Sequence, residues 1–68
     1  MRMVEAFKEA KKINGRRKVR VVNPKFPGIE LKLDGFGDWE AWRGEEKVDD
    51  FTLTFDDMRD YHWVVIYE

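Results

Sequence analysis

The chain contains no cysteine and no serine, only two threonines, and a single histidine. Without cysteine there are no disulfides and no thiolate metal sites, which suits a reducing compartment. Without serine, and with threonine confined to positions 52 and 54, the usual nucleophiles of acyl transfer are missing. His62 is the one side chain whose ordinary pKa lies near neutrality. It stands directly before Trp63, where a histidine reads first as a structural residue rather than a general base. No catalytic residue is therefore expected. Apolar runs of the roughly 18 residues that cross a bilayer are also lacking, and the opening residues show no signal-peptide pattern. A cytoplasmic, non-enzymatic protein is the expectation.

What the chain does have is aromatic bulk and charge. Its 68 residues predict one domain, residues 1–68, near the size at which chains lean on staples or self-association. Five Phe, three Trp and two Tyr offer the compensation, since each aromatic side chain can bury about 150–250 Å². Association into a homo-oligomer is a further remedy at this length. The net charge of −1 hides an asymmetry: residues 1–34 carry ten Lys/Arg against four Asp/Glu, and residues 35–68 carry three against ten. Such a split points to charged partners. The plainer reading is that the two halves lie against each other and neutralise.

The densest structural signal is residues 51–68. Trp63 to Tyr67 is an unbroken apolar and aromatic run, the pattern of a strand buried on both faces in the interior of a sheet. Before it, Thr54 reads as the N-cap of a short helix, its hydroxyl accepting from the N–H of Asp57, with Asp56 and Asp57 at the positive end of the helix dipole.

Upstream, Met3, Ala6, Phe7, Ala10 and Ile13 recur at three- and four-residue spacing, predicting an amphipathic helix over residues 2–13 that Asn14-Gly15 stops. A first strand is expected over residues 16–22. Pro24 and Pro27 interrupt the ladder after it. Ile29, Leu31 and Leu33 alternate with Glu30, Lys32 and Asp34, a half-buried strand. Asp34-Gly35 and Gly37 mark a turn, residues 38–43 return as a third strand, Gly44-Glu45-Glu46 turns again, and residues 47–53 are extended. The fold class is α+β: an N-terminal helix packed on an antiparallel sheet of three to five strands, with a second short helix before the C-terminal strand.

Two charged sets are candidate sites. Glu45, Glu46, Asp49, Asp50, Asp56, Asp57 and Asp60 crowd into sixteen residues. Their spacing matches no calcium loop, and Gly35-x-Gly37 lacks the third glycine of a dinucleotide loop, so no metal or cofactor is expected. The carboxylates instead suggest a surface that imitates nucleic-acid charge. Trp39 and Trp42 fall on opposite faces of the third strand, so one of them, Trp42, is left as an aromatic anchor for a partner. The basic set Arg16, Arg17, Lys18 and Arg20 suits phosphate oxygens, although a solvated edge guarded by cations is the plainer reading.

Residues 4–12, Val-Glu-Ala-Phe-Lys-Glu-Ala-Lys-Lys, followed by Arg16-Arg17-Lys18-Val19-Arg20, resemble the opening of small phage and prophage proteins. Phe51-Thr-Leu-Thr-Phe-Asp-Asp-Met and Asp60-Tyr-His-Trp-Val-Val are similar to their closing pattern. The family this resembles is the Thoeris anti-defence type 2-like group, and the likeness covers the two ends of the chain. It implies a phage protein acting inside the host cell by binding. One mode is antagonism of a host protein, a defence or nucleic-acid enzyme, through the acidic set and Trp42. The alternative is sequestration of a nucleotide-derived immune signal by Arg16, Arg17, Lys18 and Arg20.

Overall fold

The structure, a computed structural model, describes residues 1–13, 18–33 and 38–67. Helix α1 (Met3–Ile13) forms on the expected stripe: Met3, Ala6 and Ala10 are buried, and Phe7 and Ile13 pack at its margin. Two alanines with no exposed surface let the helix sit close on the sheet, because a methyl group is all that separates the two backbones. Glu5 stands in the first turn and Lys11 and Lys12 in the last, in the sense the helix dipole favours.

Four strands follow as a meander: β1 (Val19–Val22), β2 (Ile29–Leu33), β3 (Trp39–Arg43) and β4 (Glu46–Val48). The chain then crosses beneath the sheet through Phe51 and Leu53, forms helix α2 (Phe55–Arg59), and returns as β5 (Val64–Tyr67). The sheet order is β4-β3-β2-β1-β5, with every neighbouring pair antiparallel. Strand β1 starts at Val19, so Lys18 lies before the strand rather than in it, while the expected helix stop at Asn14-Gly15, Arg16 and Arg17, and the turn expected at Asp34-Gly35 and Gly37 lie outside the described residues.

Cross-strand partners share a face, so the register sorts the sheet into two surfaces. Val65, Val19, Val21, Leu31 and Ala41 point toward α1 and form the core. Val64 and Ile66, Arg20 and Val22, Glu30 and Lys32, Glu40 and Trp42, and Lys47 lie on the opposite, open face. Aromatics close the core at two points. Phe7 stacks on Trp39 with ring centroids 4.2 Å apart, and Phe26 meets Phe51 edge-on at 5.3 Å and Trp63 at 6.0 Å.

The placement of β5 corrects the sequence reading. Its apolar run predicts an interior strand buried on both faces, yet β5 is the edge of the sheet, and Val64 and Tyr67 are 48% and 40% exposed. The residue that earns the deep burial is Trp63, just before the strand, at 2% exposed. Its indole N–H donates to the carbonyl of Asp57 at 2.8 Å and its backbone N–H to the carbonyl of Met1 at 3.1 Å.

Turn chemistry sets the connections. Ile29 N–H reaches back to the Phe26 carbonyl at 3.2 Å across Pro27-Gly28, with Gly28 at φ 81°. Proline then glycine in those positions is the requirement of a type II turn. Between β3 and β4 the two-residue loop Gly44-Glu45 has Gly44 at φ 63° and no positive φ at Glu45, the arrangement of a II′ hairpin.

Candidate protein-docking surface

The seven acidic residues separate into two groups of different character. Asp57 belongs to the framework. It is 5% exposed and completes a capping box: Thr54 Oγ1 accepts from its N–H at 3.2 Å, and its Oδ2 accepts from the Thr54 N–H at 2.9 Å. Its other oxygen accepts from Lys25 Nζ, reached from the β1–β2 loop. The hydrogen bond from Lys25, then those at Thr54, hold the Asp57 carboxyl below the ordinary carboxylate range, and the same contact raises the Lys25 ammonium. Asp57 is thus removed from any docking surface, a correction to its inclusion there.

Asp60 is also engaged internally. Its Oδ1 accepts the backbone N–H of His62 at 2.8 Å and contacts the imidazole Nδ1. These bonds, the backbone one first, lower its pKa. His62 itself is exposed and braces this turn. Asp56 stands exposed in the first turn of α2.

The remaining four carboxylates frame β4. Glu45 and Glu46 occupy the hairpin end and Asp49 and Asp50 follow the far end, all exposed. The strand between them is three residues long. Its cation, Lys47, is turned onto the open face, where it pairs with Glu40 at 2.8 Å. One edge of the sheet is therefore lined with negative charge.

Beneath that edge the structure has a feature the sequence reading missed. An open cleft of about 440 Å³ runs under β4, walled by Phe7, Trp39, Val48, Phe51 and Leu53, with Asp49 at its rim. It exists because the chain dives from β4 under the sheet, and the α1 stripe ends short of the β3–β4 edge. The alternation Phe51-x-Leu53 was the available signal, since it marks an extended segment with one face turned to the core.

Trp42 lies on the open face opposite Trp39, as the alternation predicts, half-buried, with Lys32 Nζ 5.5 Å from its ring. Of the basic set, Lys18 is exposed and Arg20 pairs with Glu30 across the open face. Arg16 and Arg17 lie outside the described residues. Lys25–Asp57 joins the basic and acidic halves, whereas Arg20–Glu30 stays within the first half.

Among the described residues, no three His, Cys, Asp or Glu side chains gather where they could hold a metal ion, and no helix is long and apolar enough to cross a membrane. No family model matches the chain, and neither a curated protein nor a solved structure matches it significantly. The functional reading therefore stands on this surface and on the resemblance of the chain ends.

Proposed function

We propose that this chain is a non-enzymatic, phage-encoded accessory protein that antagonises a bacterial defence or other host factor by docking on a host protein. The acidic β4 edge beside an apolar cleft carries this reading. Glu45, Glu46, Asp49 and Asp50 are exposed around a strand whose lysine is already committed to Glu40. A field of one sign over a short edge steers a basic partner and speeds encounter. The cleft between Phe7, Trp39, Phe51 and Leu53 supplies what charge alone lacks: a place for an apolar side chain to leave water, the usual source of interface affinity. The partner surface this fits is basic with a protruding apolar residue, such as the substrate groove of a nucleic-acid enzyme.

The resemblance to phage proteins supplies the setting, the cytoplasm of an infected host. The alternative, a sponge for a nucleotide-derived signal, rests on Arg16, Arg17, Lys18 and Arg20.

Affinity capture of the tagged protein from bacterial lysate, read by native mass spectrometry, tests both. Docking predicts one host polypeptide retained by the wild type. That polypeptide is lost with Glu46→Lys/Asp49→Lys/Asp50→Lys, and also in 0.5 M salt, about three times physiological ionic strength, where the Debye length falls well below 8 Å. Retention of the same polypeptide by the triple variant would sink the proposal. A nucleotide-sized adduct with no polypeptide would favour the sponge.

A further inference from the structure

The cleft beneath β4 is built from aromatic rings that the fold leaves partly open. Phe7, Trp39, Phe51 and Leu53 line it and are each half-buried. Trp63, by contrast, is 2% exposed, with its indole N–H already bonded to the Asp57 carbonyl. The charges along the cleft are unequal as well. Lys47 pairs with Glu40 at 2.8 Å, and the register turns both onto the open face of the sheet. Asp49 is exposed at the rim and, among the described residues, has no hydrogen-bond or ion-pair partner.

Aromatic walls beside one uncommitted carboxylate have a narrow chemical preference. A neutral apolar side chain fills the aromatic part and leaves Asp49 to shed water without a partner. A lysine brings a compact ammonium that holds its own water strongly. An arginine satisfies both parts. Its methylene stem lies along apolar surface, its weakly hydrated guanidinium stacks on aromatic rings, and its planar fork matches a carboxylate. The cleft of about 440 Å³ falls within the range of about 300–1,000 Å³ of pockets that enclose small ligands.

We infer that this cleft receives one arginine side chain of the docking partner, its stem against Phe7, Trp39, Phe51 and Leu53 and its guanidinium at Asp49. The inference rests on the docking reading and sharpens it: the basic charge and the apolar group of the partner belong to a single residue. Glu45, Glu46 and Asp50, which do not line the cleft, are left to steer the approach.

Titration with N-acetylarginine amide at constant ionic strength, followed by NMR of the tryptophan indole N–H groups, tests this without any host protein. A saturating shift is expected at Trp39, while Trp42 on the open face and Trp63 in the core stay fixed. Trp42 controls for a guanidinium that settles on any accessible indole. The lysine and norleucine amides are expected to bind about five-fold more weakly or worse. Asp49→Asn, an exposed position where the fold is expected to be kept, should weaken the arginine probe about three- to five-fold, the range of a partly exposed ion pair. No saturable shift at Trp39, equal binding of the norleucine amide, or undiminished binding to Asp49→Asn would each overturn the inference. Capture from lysate decides docking separately. A retained polypeptide with no probe binding overturns the arginine alone, and a bound probe with no retained polypeptide overturns docking alone.

Discussion

Asp57 shows how much one side chain can organise. It receives the N–H of Thr54 and the ammonium of Lys25, and its carbonyl holds the indole of Trp63. Cap, loop and core are thereby tied together at a single residue. Thr54→Ala removes one arm, and the loss of an N-cap hydroxyl is expected to lower stability by about 1 kcal/mol, or about 4–8 °C in Tm for a domain of this size, measured by thermal circular dichroism. The pH response has a defined sign. Asp57 and Asp60 have pKa values lowered from 3.8, so the stability they contribute is complete above that value. It is lost as pH falls through their folded values. Lys25, raised from 10.5, contributes fully below 10.5 and loses its share only at more alkaline pH. Tm is therefore expected to be level from about pH 6 to 9 and to fall in acid. Asp57→Asn should be less stable at neutrality and show a shallower acid slope. An identical slope in variant and wild type would remove Asp57 from this role.

At the level of elements, the turns and the edge strands matter most. Gly44 holds φ at 63° with nothing within 4 Å of where a Cβ would sit. Gly44→Ala therefore meets no clash but adopts a backbone conformation unfavourable to L-residues, with an expected loss of about 1–2 kcal/mol in urea unfolding. Because Glu45 and Glu46 are displayed by this turn, the variant should also weaken partner capture. A Gly44→Ala protein as stable as wild type would show that the hairpin has another geometry in solution. The amphipathic stripe of α1, the Thr54 cap and the alternation of β2 were all legible in the sequence, since each is set by residues within one or two turns of each other. Helix α1 was placed to within one residue of its start.

Across the whole molecule, the exposed ion pairs are expected to contribute little to folding, and the proposed role of the acidic edge is docking. Arg20–Glu30 and Lys47–Glu40 are partly exposed pairs on the open face, and such pairs typically contribute about 0–1 kcal/mol each. Raising salt from 0.1 to 1 M is therefore expected to move Tm little while abolishing docking through the acidic edge. A large fall in Tm over that range would mean that the ion pairs carry the fold instead.

The α+β class, the element order, the Thr54 cap, the Gly44-Glu45 turn and the placing of Trp39 and Trp42 on opposite faces of β3 could all be read along the chain. Periodicity and local hydrogen bonding act between near neighbours, so they can be read along the chain. That β5 is an edge emerged from the folded sheet alone, since an apolar strand looks the same in sequence whether or not a neighbour covers its second side. The folded sheet also decided which carboxylates are exposed and which are held by internal hydrogen bonds. Asp57 and Asp49 are alike as residues, and what separates them is Lys25, 32 positions from Asp57, delivered by a loop that only the folded sheet brings close. The cleft has the same origin, formed by Phe7, Trp39, Phe51 and Leu53 from three separate segments that meet only when the chain crosses beneath its own sheet.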